Sequence, residues 1–150
     1  MFLQMCCIVE CIFNRLMAFC LFVLSLIITV AVSVANTSSM CKFPQFITTL
    51  IYVQFGWYVV KPWINFCGFR LLTACCSVFL SSILTGYLID LNKESCIFID
   101  NVDAGNILTA IGFSQGTLLV ISILVLFKEL GMLSKEKGYK KQQDFDDFDN

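Results

Sequence analysis

Between Ile107 and Phe127 the chain reads ILTAIGFSQGTLLVISILVLF, twenty-one residues without a formal charge. As a helix rising about 1.5 Å per residue, this stretch reaches roughly 31 Å, enough for a hydrocarbon core of about 30 Å. Lys128 then opens a segment with five lysines, Lys128, Lys135, Lys137, Lys140 and Lys141. A long apolar helix stopped by a basic flank reads as a membrane span whose end is cytoplasmic. The other spans must alternate back from that end.

The rest of the chain agrees with such a medium. Of its 150 residues 58% are hydrophobic, well above the roughly 45–50% of soluble domains. The mean hydropathy is +0.82. A small soluble fold leaves much of its surface exposed, so it has no place for that much apolar area. The net charge of −1 gives no nucleic-acid footprint. The sequence contains no His, which removes the commonest general base and metal ligand.

Leu16 to Ala35, LMAFCLFVLSLIITVAVSVA, is a second charge-free run, twenty residues long. The rival reading is a signal peptide, because Ser33-Val34-Ala35 has the small residues of a cleavage site. The long apolar run and the lack of a basic start favour a retained span. Asn36 to Gln45 is polar and punctuated by Pro44, which marks a loop. Phe46 to Val60 is a short span, brought to bilayer length by Lys42 to Gln45 at one end and a snorkelling Lys61 at the other. Trp57, Tyr58 and Trp63 resemble an interfacial aromatic belt, and Lys61-Pro62 breaks or kinks the helix. Leu71 to Ile89 is the next span. The loop 90–106 carries four acids, Asp90, Glu94, Asp100 and Asp103, against Lys93, and belongs outside. Arg15, Lys61, Arg70 and Lys128 then share the inner side. The expected fold is an all-α integral membrane four-helix bundle with both termini cytoplasmic. Its spans lie at about 16–35, 43–61, 71–90 and 107–127 within a transmembrane domain of 1–133, and a mobile charged tail occupies 134–150.

Small residues recur every four positions in Ala74, Val78, Ser82 and Gly86, and Gly112 with Gly116 forms a GxxxG. Helices in lipid associate through such close-packing faces, so Ala74, Ser82, Gly86, Gly112 and Gly116 are expected at the seam between spans three and four. A dimer or partner-subunit interface is the sharper alternative. Gln54 and Gln115 are the deepest polar side chains, and an unpaired amide in hydrocarbon costs several kcal/mol. Mutual or cross-helix hydrogen bonding is therefore expected of them before any transport role. Charged residues are missing at mid-membrane depth, which argues against a proton relay or ion path.

Cys41 and Cys96 are the single cysteines of the two outside loops. In an oxidising lumen a Cys41–Cys96 bridge is the simplest pairing, with free thiols or intermolecular bridges as alternatives. Cys6, Cys7 and Cys11 precede the first span on the cytoplasmic side, as candidates for S-palmitoylation or as unmodified thiols. Cys20, Cys75 and Cys76 read as small apolar fillers. Asn36-Thr37-Ser38 is a glycosylation sequon very near the membrane edge. The tail sequence DFDDFDN is either a docking peptide or a solvated terminus. No catalytic constellation, metal-ligand spacing or cofactor motif is present, so neither an enzymatic role nor a cofactor is expected.

The last third of the chain resembles the synaptophysin branch of the four-span MARVEL proteins. The residues that carry the likeness are Cys96, Asn106, Gly112-Phe113, Gln115, Phe127-Lys128-Glu129 and Gly131, with Ser81 to Gly86 loosely similar. The chain departs from that branch in its short first outside loop and in holding one cysteine per outside loop. The resemblance implies a non-enzymatic protein of vesicle or plasma membranes in the secretory pathway. Such a protein organises sterol-rich lipid or accompanies other membrane proteins. The alternative function is a small accessory subunit of a larger channel, proton pump or respiratory complex.

Overall fold

The computed structural model describes residues 2–37, 43–66, 68–90 and 102–146, with backbone alone for 2–7, 66, 102–107, 136, 137 and 139–146. Among these residues all regular structure is helical, in α1 (Phe2–Thr37), α2 (Gln45–Phe66), α3 (Arg70–Asp90) and α4 (Val102–Asp146). Three segments, Ile8–Thr37, Arg70–Asp90 and Leu108–Lys135, are long and apolar enough to cross a membrane. α2 falls short in hydropathy because Gln45, Thr48, Thr49, Gln54, Lys61 and Asn65 are threaded through it.

α1 and α4 outrun the expected spans at one end. With 36 and 45 residues, they extend roughly 54 and 68 Å, far beyond a hydrocarbon core of about 30 Å. The apolar start of the chain is thus continuous with the first span. The lysine-rich segment, expected as a mobile tail, continues α4 through Asp146. Leu, Met, Lys, Glu and Gln there are all good helix formers, and no Pro interrupts them. α2 likewise continues past Pro62 to Phe66. Pro62 withholds one N–H from the helix ladder, yet the break expected at Lys61-Pro62 falls several residues later. It comes at Gly68, whose φ of 92° suits a residue without a Cβ just beyond a helix end. The Gly68 N–H donates to the Asn65 carbonyl at 3.2 Å.

Each helix packs against two neighbours, closing the ring α1–α2–α3–α4, and among the described residues the diagonal pairs make no close backbone approach. The centre is filled by Leu21 and Ile28 of α1, Ile51 of α2, Leu84 of α3, and Ile111 and Leu118 of α4. The outside is oily: Val30, Val53, Phe79, Phe113, Val120 and Phe127 are all exposed. Polar side chains are instead buried, including Ser25, Gln54, Thr73, Ser77, Ser81, Gln115 and Ser122. In water this distribution would be inverted. In lipid it is the arrangement expected, since polar groups must find partners within the protein.

Candidate functional site: a polar seam ending in a basic cavity

Three helices each turn one polar stripe inward. On α2, Gln54, Tyr58 and Lys61 are spaced by four and three residues and so share a face. On α3, Thr73, Ser77 and Ser81 repeat every four, and on α4 Gln115 and Ser122 lie seven apart. The stripes meet along the bundle axis. Gln54 Nε2 donates to Gln115 Oε1 at 3.1 Å, and Gln115 Nε2 donates back to Gln54 Oε1 at 3.1 Å. Gln115 Nε2 also reaches the Ser81 carbonyl at 3.4 Å. One step along, the Tyr58 hydroxyl lies 3.2 Å from Ser81 Oγ and 3.0 Å from Ser122 Oγ. Beside it Trp57 Nε1 donates to Ser77 Oγ at 2.9 Å, and Ser77 Oγ donates to the Thr73 carbonyl at 2.7 Å. Thr73 Oγ1 in turn donates to Asn65 Oδ1. α1 joins this seam little: Ser25 and Thr29 bond carbonyls of their own helix, those of Phe22 and Ser25, a self-contained way to satisfy a hydroxyl away from water.

The seam ends on Lys61. Its side chain is buried, with 6% of its surface exposed, and its Nζ has no hydrogen-bond partner among the described residues. It stands over the face of Tyr58, whose ring centroid is 5.6 Å away. A cavity of about 310 Å³ opens beside it, walled by all four helices through Asn14, Arg15, Lys61, Asn65, Arg70 and Glu129. Alongside, Lys128 Nζ donates to Asn14 Oδ1, stands 3.8 Å from Glu10 Oε1 and lies 5.0 Å from the centroid of Phe13. These contacts tie the end of the α4 span to α1.

Several residues lie elsewhere than expected. The buried face of α3 runs through Thr73, Ser77, Ser81 and Leu84, not through the whole stripe anticipated one position along. Ala74 is buried, but Ser82, Gly86 and Gly112 are exposed and Gly116 is half-buried. A Cβ on Gly86, Gly112 or Gly116 would meet nothing within 4 Å, so these glycines do not admit a neighbouring helix of this chain. The physical reason is rotational: one residue turns a helix face by about 100°, and the buried hydroxyls require the inner position more than small apolar groups do. Lys61 does not snorkel outward. Tyr58 belongs to the interior instead of an interfacial belt, whereas Trp63 is 76% exposed. The buried Thr73–Ser77–Ser81 stripe and Ser122 were not anticipated, although their four- and seven-residue spacing to one another and to Gln115 was a usable signal.

Cys11, Cys75 and Cys76 are exposed free thiols and Cys20 is a half-buried one. The side chains of Cys6 and Cys7, and all of Cys41 and Cys96, lie outside the described residues. Asn36 is exposed, but its Oδ1 accepts from the Phe43 N–H at 3.3 Å and its Nδ2 donates to Thr48 Oγ1 at 3.4 Å. Among the described residues no group of three or more His, Cys, Asp or Glu could hold a metal ion. The chemistry this interior offers is hydrogen bonding that orients helices, together with a cluster of positive charge at one end. No protein-family model matches the chain, and no curated protein or solved structure matches it.

Proposed function

We propose that this chain is a four-span membrane protein with both termini cytoplasmic, and that it acts by helix packing within a membrane-organising or membrane-trafficking assembly. The supporting observation is the outer face of α4. Gly112, Phe113, Gly116 and Val120 border an open groove of about 480 Å³, and the two glycines leave their side of it bare. Small residues facing lipid let another helix approach closely. Its partners would be other membrane-protein subunits or a second copy, with membrane lipid, sterol included, around them and no nucleic acid. α2 serves as the fourth span in this reading. Its amide and phenol are bonded inside the bundle, while Tyr52, Val53, Val59 and Val60 are exposed and suit a lipid-facing side. Arg15, Lys61 and Arg70 line one cavity, which favours the cytoplasmic side for that end. The MARVEL likeness of the last third points to vesicle or plasma membranes of the secretory pathway, without catalysis. A Cys41–Cys96 bridge on the opposite side and lipidation at Cys6, Cys7 or Cys11 are compatible modifications.

The second reading is an accessory subunit of a larger channel, proton pump or respiratory complex. It is favoured by a second apolar concavity of about 370 Å³ on the α2–α3 side, bordered by Trp57, Cys75, Cys76, Phe79 and Leu80. Two contact faces suit a subunit held between neighbours. Detergent extraction, sizing and mass spectrometry of co-purifying chains, on the wild type and on Gly112→Leu with Gly116→Leu, tests both. Self-association or a modest membrane partner, lost in the leucine variant, is expected; a large stoichiometric complex selects the accessory reading. Assembly unchanged by the leucines removes the groove as the basis of function. Tags at Met1 and Asn150 reporting from opposite sides of the membrane would overturn the topology.

A further inference from the structure

The charge at the end of the polar seam has no bonded acceptor among the described residues, and Glu129 on the same cavity wall acts on it only through space. Burying an ammonium without an acceptor costs several kcal/mol. Lys61 is in that position, buried and unbonded at the wall of a cavity of about 310 Å³. Arg15 and Arg70 line the same cavity from α1 and α3, and the acid among its lining residues, Glu129, makes no ion pair among the described residues. The two amides there are also turned to donation. Asn14 Oδ1 is occupied by Lys128 Nζ, and Asn65 Oδ1 by Thr73 Oγ1. Their NH₂ groups are what remain for an occupant. The result is a pocket of donors with three positive groups to one negative, built from all four helices.

We propose that this cavity is a binding site for a phosphate-bearing anion, with the Lys61 ammonium as its inner ligand and Arg15 and Arg70 as outer ones. Several features select phosphate over a smaller or singly charged anion. The cavity is far larger than a halide needs, guanidinium groups match phosphate oxygens in pairs, and a lysine adds a point charge. The phosphate comes either from a lipid headgroup or from a free phosphate compound. Basic pockets between spans at the cytoplasmic surface suit anionic headgroups, so the lipid source rests on the membrane reading above. Phosphate binding itself does not.

The test uses the full chain in neutral detergent micelles, with thermal unfolding followed by tryptophan fluorescence. The probes are dioctanoyl phosphatidic acid, inorganic phosphate and, as a neutral-headgroup control, dioctanoyl phosphatidylcholine. The wild type should be stabilised in a saturable way by the phosphatidic acid and not by the phosphatidylcholine. Equal saturable stabilisation by inorganic phosphate at matched concentration assigns the site to free phosphate instead. Lys61→Met should melt higher than the wild type without any probe, because it removes an unpaired buried charge. It should also bind the phosphate probe at least about tenfold more weakly, the scale of a lost charge-assisted bond. Arg15→Gln, on an exposed side chain, should weaken binding while leaving the unliganded melting point in place. A wild type that no phosphate probe stabilises beyond the control, or an equal response in Lys61→Met, overturns the proposal. Either result leaves the packing function untouched.

Discussion

Gln54 and Gln115 exchange both of their amide hydrogen bonds across the diagonal of the bundle, each 3.1 Å long. They are 1% and 0% exposed, so neither has water as an alternative. Removing one partner strands the other, whereas replacing both by apolar groups of similar size removes the need for pairing. Gln54→Leu or Gln115→Leu alone should therefore destabilise the bundle by about 1–3 kcal/mol, and the double variant should lie close to the wild type. A double-mutant cycle in detergent unfolding reads the coupling, which on these figures equals the sum of the two single costs, about 2–6 kcal/mol. Additive single effects would mean that the amides do not act as a pair.

Tyr58 performs a similar function with one hydroxyl. It lies within bonding distance of Ser81 on α3 and Ser122 on α4, linking three helices at a point where their backbones do not all touch. Tyr58→Phe preserves the ring and removes that link. A loss of about 1 kcal/mol is expected from the bonds themselves. With Ser122→Ala already in place, the further cost of Tyr58→Phe should shrink, because one partner has gone. Equilibrium unfolding of the four species measures both effects.

Lys128 sets a contrast, since its contacts are partly in solvent. Its side chain is 25% exposed and that of Glu10 is 45% exposed, with 3.8 Å between them. At that separation and exposure the ion pair alone contributes little, typically under about 1 kcal/mol. Glu10→Gln should then change stability by no more than about 0.5 kcal/mol, and less in high salt. Lys128→Met should cost more, because it also removes the bond to Asn14 and the contact over Phe13. Unfolding at two ionic strengths separates the two contributions.

Three of the four helices were legible as long apolar segments, because hydrocarbon imposes a length and excludes charge. The sequence expectation of 71–90 matches α3 at Arg70–Asp90 almost residue for residue. The far ends of α1 and α4 were not legible by that route. Charge marks where the membrane ends, and a helix needs no such boundary when good helix formers follow, as they do after Lys128. α2 was harder in a different way. Its polar residues lower its hydropathy although Gln54 and Tyr58 face inward, and no average over a window records direction. Gln54 and Gln115 could each be recognised as needing a partner, since lipid offers none. The closed ring brings their helices together only as a diagonal, and chain order does not give the diagonal separation. The seam on α3 was missed by one position. Ser and Thr bonded to their own helix look like neutral fillers until three of them fall on one face with a Trp and a Tyr opposite. Lys61, beside Pro62, read as a residue that reaches outward. Its burial follows from how the four helices close at that end.

Asn36 offers a last test, because two uses compete for one side chain. Asn36-Thr37-Ser38 has the form of a glycosylation sequon, and the residue is exposed. Yet its carbonyl oxygen accepts from the Phe43 N–H and its nitrogen donates to Thr48 Oγ1, fastening the end of α1 to the start of α2. A glycan attached at Nδ2 would remove one donor hydrogen and place a bulky group against the α2 entry. The expected outcome is an unmodified Asn36, seen as an unchanged gel mobility after glycosidase treatment of protein from a glycosylating cell. Asn36→Ala should cost about 0.5–1 kcal/mol, the low end for hydrogen bonds because these are long, at 3.3 and 3.4 Å, and reach solvent. Ser38→Ala destroys the sequon and leaves Asn36, Phe43 and Thr48 untouched, so it should leave the α1–α2 junction as stable as before. If Ser38→Ala and Asn36→Ala were to alter the protein equally, the glycan rather than the two bonds would be what the asparagine provides.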